Sequence, residues 1–217
     1  MAKTKVEFVC RECGASHHQW AGQCLDCKEW NTLEEIVISQ ATSSKPESLK
    51  DLPASKVQNL TEIKAQNKDR LSTGLSELDR TLGGGLVDGS VVLIGGDPGI
   101  GKSTLILQAL AKLNSDNTTL YVSGEESAEQ VSERAIRLGI KEDILFIGET
   151  HLEKIIKLSK DIKPKVIVID SIQTMVTDLS GSAPGSVTQV RDCAAQLTQY
   201  AKQTNTILLM IGHVTKG

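Results

Sequence analysis

The sequence predicts an α/β protein in which helices cover both faces of a parallel β-sheet, preceded by a small module with four cysteines. Apolar, β-branched runs such as residues 166–169 are typical of parallel strands that are buried on both faces. These runs alternate along the chain with stretches of helical periodicity, which is the pattern of a doubly wound sheet. Two Cys-x-x-Cys pairs occur before residue 28 and set that segment apart from the rest of the chain.

The amino-terminal segment has the spacing of a metal site. Its four candidate ligands are Cys10, Cys13, Cys24 and Cys27. Four thiolates in two Cys-x-x-Cys turns close a tetrahedral shell around Zn²⁺ and leave no position open for water, which predicts a structural zinc site. The same ligands suit an iron site of the rubredoxin type, so the choice of metal stays open. His17 and His18 are competing ligands by residue type, but with four cysteines present we expect both to be exposed loop residues.

Composition divides the chain into three segments. We expect a zinc finger at residues 1–38, a polar linker at residues 39–56 and a main α/β domain at residues 57–217. The finger has too few apolar side chains to fold by burial alone. A bound metal is therefore expected to supply much of its folding free energy.

The main domain carries a phosphate-binding loop. A complete G-x-x-x-x-G-K-[ST] motif lies between an apolar strand and a helix-compatible stretch, the context that this loop requires. Its glycines let main-chain N–H groups surround an anion, Lys102 adds a charge at the β and γ phosphates, and the Ser103 hydroxyl is placed to bind Mg²⁺. The predicted nucleotide-binding residues are Gly96, Asp97, Pro98, Gly99, Ile100, Gly101, Lys102, Ser103 and Thr104. The expected ligands are ATP and Mg²⁺.

Strands and helices then follow in alternation. Strands are predicted at residues 91–94, 119–123, 144–147, 166–169 and 207–211. Helices are predicted at residues 105–113, 127–138, 151–160 and 186–203. Ser127 and Gln130 form a capping box at the start of the second helix, and Gly139 is placed to end it.

Acidic residues follow two of the predicted strands. Asp170 ends the strand at residues 166–169, so its carboxylate reaches the sheet edge where the phosphate loop lies, and we predict that it supports Mg²⁺ as a Walker B aspartate does. Glu125 and Glu126 follow the strand at residues 119–123 and reach the same edge. One of them is expected to act as the base that activates water, and the other to complement a helix N-terminus. The residues alone do not decide between them.

Overall charge and length exclude some classes of protein. The 217 residues are 39% hydrophobic with a net charge of −3, which gives no general sign of nucleic-acid binding, and no long Lys/Arg cluster occurs in the linear sequence. No stretch reaches the ~20 apolar residues of a membrane span, and the start lacks a secretory signal. A cytoplasmic protein is expected.

Several segments resemble RecA-like and KaiC-like ATPases. Arg-Leu-Ser-Thr-Gly, Glu-Leu-Asp-Arg, Leu-Gly-Gly-Gly-Leu and Gly-Ser precede the phosphate loop, at residues 70–74, 77–80, 82–86 and 89–90. The Cys-x-x-Cys-Gly opening, Trp20-x-Gly-x-Cys, Trp30-Asn-Thr and the late Ile-Gly-His-Val-Thr-Lys at residues 211–216 narrow the resemblance to the bacterial RadA (Sms) family. The chain is similar to that family over nearly its whole length.

The resemblance implies a DNA-dependent ATPase of recombinational DNA repair, which processes branched intermediates by branch migration or unwinding. It implies single-stranded or branched DNA as a partner, a recombinase or helicase partner, and a homo-oligomeric ring in the full-length family, with no membrane role. By position, Glu125 aligns with the hydrolytic glutamate beside the catalytic Lys102, and His213 lies where the family has a γ-phosphate sensor. Residues 174–187 match a DNA-facing loop, although a plain surface loop is an alternative because the segment has no Arg or Lys.

The end of the chain departs from the family. The family continues with a Lys-Asn-Arg-Phe-Gly motif and a Lon-protease-like domain, whereas this sequence stops at Gly217. We therefore expect an incomplete ATPase core, an open sheet edge and weak or absent ATPase activity in isolation. The alternative function is a non-motor ATP-binding switch whose zinc module docks a partner protein. A KaiC-type kinase is a third reading, which the paired glutamates favour and the zinc module disfavours.

Overall fold

The computed structural model describes residues 5–38, 59, 69–114, 117–180 and 182–213. The chain divides into two compact units, Met1–Asp69 and Arg70–Gly217. The predicted linker and the predicted start of the main domain lie outside the described residues.

The first unit is a three-stranded antiparallel sheet. Its strands are β1 (Lys5–Cys10), β2 (Ser16–His17) and β3 (Leu33–Ile38), in the order β2-β1-β3. The small buried core consists of Cys10, Cys24 and Leu33. Because two of these three residues are candidate metal ligands, the fold of this unit depends on the site they build.

The second unit is built on a five-stranded parallel sheet in the order β4-β8-β7-β5-β6. The strands are β4 (Val91–Gly96), β5 (Thr119–Ser123), β6 (Leu145–Gly148), β7 (Val166–Asp170) and β8 (Ile207–His213). The helices are α1 (Ser76–Thr81), α2 (Lys102–Leu113), α3 (Ala128–Arg137), α4 (Leu152–Ile162) and α5 (Val187–Thr204), with a 3-10 turn at Ile172–Thr174. The predicted strands and helices are confirmed, and α1 is an addition that the sequence pattern did not predict.

Helices cover both faces of this sheet, as predicted. On one face, Leu107 of α2 and Val131 of α3 pack in a buried cluster with Leu209 of β8. On the other face, Ile155 of α4 and Leu197 of α5 belong to a second buried cluster. Successive strand side chains point to opposite faces, so the central strands are apolar throughout.

Local signals place two helix ends. Ser127 and Gln130 form the predicted capping box: the Gln130 backbone N–H donates to the Ser127 hydroxyl and the Ser127 backbone N–H donates to the Gln130 side chain. Helix α4 ends at Ile162 and is capped by Lys163, which has a left-handed φ of 53° ahead of Pro164.

The phosphate-loop strand β4 lies at one edge of the sheet. In the described part of the chain β4 pairs only with β8, and Leu93 on β4 is 63% exposed. No described helix has the length and apolar character needed to cross a membrane.

Candidate nucleotide site and metal module

The phosphate loop connects β4 to α2 through two glycines in the left-handed region. Gly99 has φ of 80°, and Gly101 has φ of 95° and caps the N-terminus of α2. Residues with a Cβ rarely adopt these angles, so the turn depends on glycine at both places. The result is an open loop above the positive end of a helix, the arrangement that binds phosphates.

The loop forms one wall of a cavity of about 420 Å³ at the carboxyl edge of the sheet. The cavity is lined by Pro98, Gly99, Gly101, Lys102, Ser103, Thr104, Glu125, Glu126, Arg134, Arg137, Asp170 and His213. Most of the predicted site residues therefore meet in one place. Gly96, Asp97 and Ile100 belong to the loop but not to the cavity wall, and Ile100 is 65% exposed.

A chain of contacts links the loop lysine to the predicted base. Lys102 Nζ donates to the Gly96 and Asp97 carbonyl oxygens at 2.9 and 2.8 Å, and lies 3.3 Å from His213 Nδ1. His213 Nε2 lies 3.3 Å from Glu125 Oε1. Because a lysine ammonium only donates, His213 Nδ1 is the acceptor and Nε2–H is the donor to Glu125.

The two neighbouring glutamates have different partners. Glu126 forms an ion pair with Arg134 of α3, and both side chains are largely buried. Glu125 accepts a hydrogen bond from the Ser171 hydroxyl and contacts His213. The carboxylate of Glu126 is thus held by an arginine, whereas that of Glu125 faces the phosphate loop across His213. This geometry favours Glu125 as the base, and the assignment stays a prediction.

Asp170 sits deep in the sheet with a tyrosine partner. Its side chain is 4% exposed, and the Tyr121 hydroxyl donates to Asp170 Oδ2. Burial, followed by the charge of Asp170, raises the pKa of Tyr121, so the phenol stays protonated and remains a donor. One Asp170 oxygen is thereby fixed. Its predicted role toward Mg²⁺ stays a prediction.

Removing the tyrosine hydroxyl tests this support. Tyr121→Phe is expected to raise the Mg²⁺ concentration that gives half-maximal ATP turnover roughly tenfold, because a hydrogen bond to a charged group contributes about 1.5–3 kcal/mol. The measurement is a Mg²⁺ titration of turnover, beside thermal unfolding. Tyr200→Phe is the matched control, since Tyr200 is also buried but lines no part of this cavity. An unchanged Mg²⁺ requirement in Tyr121→Phe would contradict the role.

Four residues of the site were not predicted from the sequence: Tyr121, Arg134, Arg137 and Ser171. One signal was available for the arginines. Arg134 and Arg137 are three residues apart on α3, so they share one side of the helix. Nothing local marks Tyr121 or Ser171, because their partners are 49 and 46 residues away.

The four cysteines of the first unit converge as predicted. Their sulfurs lie within 4.8 Å of one another, with Cys10–Cys27 and Cys13–Cys24 separations of 3.6 Å. A tetrahedral shell with Zn–S bonds of about 2.3 Å has sulfur separations of about 3.8 Å, so the cluster fits a tetrahedral metal. The two turns have equivalent hydrogen bonds: the N–H groups of Gly14 and Lys28 donate to the carbonyl oxygens of Cys10 and Cys24.

The four cysteine thiols of this cluster influence one another's pKa. The pKa of the Cys24 thiol is lowered to about 6, mainly by the backbone N–H of Cys27 and against the effect of burial, with a further contribution from His17. The backbone N–H of Glu29 lowers the pKa of Cys27, but burial and the neighbouring thiols outweigh it and raise that pKa to about 12. Four thiolates so close together repel one another unless a metal neutralises them.

The expectation for His17 is wrong and that for His18 is confirmed. The His17 side chain is only 12% exposed, with Nε2 at 3.5 Å from Cys24 Sγ and 3.6 Å from Asp26 Oδ2. Pairing of His17 with Phe8 across β1 and β2 brings the ring to the cluster. His18, the next residue, points to solvent and is exposed.

Loss of one thiol tests the metal module. Cys24→Ser is expected to abolish metal binding and unfold the first unit while the second unit stays folded, because a structural zinc supplies folding free energy on the order of 10 kcal/mol. The measurements are metal content per chain and two-dimensional NMR. Cys193→Ser, which changes a buried cysteine of α5, is the matched control. Retention of one metal ion in both Cys24→Ser and Cys27→Ser would contradict the prediction.

Family models match both units. The model described as the KaiC ATPase matches residues 71–146, and the model described as a rubredoxin metal binding domain matches residues 8–35. The first range includes the phosphate loop and both glutamates, and the second includes all four cysteines.

Whole-chain relatives are curated as DNA repair protein RadA. The Pseudomonas aeruginosa protein is 52% identical over 217 residues, the Escherichia coli protein 48% over 223 and the Bacillus subtilis protein 45% over 220, each alignment covering all of this chain and 48% of the relative. The chain spans about half the length of the curated relatives it matches. The chain is thus similar, along its whole length, to about half of these RadA proteins, and its two units match a rubredoxin-type metal module and a KaiC-type ATPase.

Proposed function

We propose that this chain binds and hydrolyses ATP as part of a DNA-stimulated motor that acts in recombinational DNA repair. The observation that carries the proposal is the convergence of Lys102, Glu125, Asp170 and His213 on one cavity beside the phosphate loop. The relatives named as DNA repair proteins supply the process. Processing of branched DNA by branch migration or unwinding, a ring assembly, a recombinase or helicase partner and a cytoplasmic location belong to the same proposal.

The proposed chemistry is attack of water on the γ-phosphate. Glu125 takes a proton from the water, whose oxygen forms the new bond to phosphorus while the bond to the β-phosphate oxygen breaks. Lys102 and the loop N–H groups stabilise the charge on the phosphate oxygens. Ser103 and Asp170 would hold Mg²⁺, which neutralises the β and γ phosphates when bound.

His213 is proposed to sense the γ-phosphate. It ends β8, which pairs with the phosphate-loop strand on one side and with the Asp170 strand on the other. Its ring also lies between Lys102 and Glu125. A change in the phosphate that moves Lys102 would therefore alter the hydrogen bond that His213 makes to Glu125.

The zinc module supports a second candidate function, an ATP-dependent switch that docks a protein. Trp20 and Trp30 are 63% and 67% exposed and lie beside Gly22. Exposed tryptophans are enriched at protein interfaces. Residues 1–38 contain six acidic residues against four Lys and Arg, a balance that disfavours DNA. Whether the module holds zinc or iron is decided by metal analysis of the purified protein.

ATP turnover with and without single-stranded DNA tests the proposal, in this chain and in a full-length family member. A motor coupled to DNA is expected to turn over faster when DNA is bound. ATP binding with slow turnover that DNA does not change would favour the switch. No ATP binding at all would overturn both candidates.

A further inference from the structure

A second cavity, of about 520 Å³, lies at the amino-terminal edge of the sheet, opposite the nucleotide cavity. Its walls come from the segments that lead into β7 and β8. The wall residues that matter here are Lys160, Lys163, Lys165, Tyr200, Thr204 and Thr206. We call this space the lysine cavity. Nothing in the proposed ATP chemistry uses it.

Hydroxyl groups form the inner part of the lysine cavity. Tyr200 is 7% and Thr206 is 4% exposed. The Thr204 hydroxyl lies 2.9 Å from that of Thr206 and 2.8 Å from the Tyr200 carbonyl oxygen. Burial raises the pKa of Tyr200, so its phenol keeps its proton. The surface beneath the lysines is therefore polar and uncharged.

The rim of the cavity is cationic. Lys165 is paired with Asp88 at 2.6 Å, but among the described residues Lys160 and Lys163 have no ion pair. Lys157 lies one turn before Lys160 on α4 and is also exposed and unpaired in the described part of the chain. Residues three apart on a helix have Cβ atoms about 5–6 Å apart, so Lys157 and Lys160 form a row that leads to the cavity. Lys160 and Lys163, which caps the end of α4, both line the cavity.

We propose that the lysine cavity and the adjoining row on α4 bind the phosphate backbone of DNA. This inference rests on the proposed function and locates its DNA contact. Phosphate contacts by Lys and Arg dominate affinity for DNA, yet the loop predicted to face DNA, residues 174–187, contains neither residue type. The lysine row supplies the charge that the loop lacks.

The shape of the site favours a polynucleotide over a second free nucleotide. The nucleotide cavity is built from a glycine turn and a helix N-terminus, which enclose a terminal phosphate with backbone N–H groups. The lysine cavity instead presents flexible side-chain charges along an exposed row, as expected for successive phosphates of one strand. Contacts of this kind position a strand without reading its sequence.

The test is the salt dependence of binding to a fluorescent single-stranded oligonucleotide, with full-length protein. Lys160→Gln/Lys163→Gln is expected to weaken binding and to reduce the slope of log affinity against log salt by about 0.7 for each lysine removed. Lys112→Gln/Lys141→Gln is the matched control, because it removes the same charge from two exposed lysines that do not line the lysine cavity. Lys160→Arg/Lys163→Arg is expected to keep both affinity and slope.

Each other outcome overturns a defined part of the inference. If Lys160→Gln/Lys163→Gln binds DNA with the same salt slope as the control pair, the lysine cavity does not contact DNA. The proposed function is then unaffected. Loss of binding in the arginine pair would show that charge is not the cause. If the lysine substitutions weaken binding of poly-glutamate but leave DNA binding unchanged, the ligand of the cavity is an acidic protein and not DNA. Failure of the unchanged protein to bind DNA would overturn the proposed function as well. ATP binding checks the fold of every variant.

Discussion

Glu125→Gln is expected to slow ATP turnover at least ~100-fold while ATP binding stays near normal, the scale of lost general-base catalysis. Glutamine keeps the size of the side chain and still accepts the hydrogen bond that the Ser171 hydroxyl makes. What it loses is the carboxylate that would take a proton from water. Single-turnover hydrolysis and binding of a fluorescent ATP analogue, measured separately in the full-length protein, distinguish these effects.

Glu126→Gln is the matched control for this prediction. Its carboxylate is paired with Arg134, and loss of a charge from a largely buried pair leaves the arginine without its partner. The expected effect is lower thermal stability rather than slower chemistry. If Glu126→Gln stops hydrolysis and Glu125→Gln does not, the base is Glu126. If both variants hydrolyse ATP normally, the base is another residue.

Lys102→Ala is expected to weaken ATP binding and to lower turnover by ~10²–10³-fold, the scale for loss of one preorganised stabilising group. Lys102 is 7% exposed, and its ammonium group already lies against the phosphate loop through Gly96 and Asp97. Alanine removes both the charge that would meet the β and γ phosphates and these two hydrogen bonds. Equilibrium binding and turnover are measured on the same preparation.

Lys112→Ala on the same helix provides the comparison. It removes an equal charge from the far end of α2 and does not line the nucleotide cavity. Its ATP affinity is expected to stay unchanged. An ATP affinity of Lys102→Ala equal to that of Lys112→Ala would exclude Lys102 from phosphate binding.

Much of the nucleotide cavity could be predicted because its signals are local. Asp170 follows directly on an apolar strand, and parallel strands bring their carboxyl ends to one edge, so its position follows from the pattern of its own segment. The same reasoning brought Glu125 to that edge. It could not distinguish Glu125 from Glu126, because the difference in their partners depends on Arg134, one helix turn beyond the capping box.

Other features depend on residues far apart in the chain. Tyr121 reads as one more residue of a buried strand, and only strand pairing brings its hydroxyl to Asp170. His17 reads as a polar loop residue until β1 and β2 pair. The lysine cavity combines residues near 160 with residues near 204, so no cluster is visible in the linear sequence. The contacts of such residues depend on how the strands and helices are arranged in space, which the local sequence pattern does not specify.

Among the described residues, the two strands that lead to the nucleotide cavity differ in how they are paired, and we expect their local stability in this chain to differ accordingly. Asp170 ends β7, which pairs with strands on both sides and is buried on both faces, whereas the phosphate loop follows β4, which in the described part of the chain pairs on one side only. Amide hydrogens of β7 will therefore exchange with solvent only through extensive unfolding, and those of β4 through small local openings. A nucleotide bound in the cavity would contact the ends of both strands, so most of the protection that it confers on this chain is expected in β4. In this chain, nucleotide binding is therefore expected to be detected most clearly by hydrogen exchange at the phosphate-loop strand.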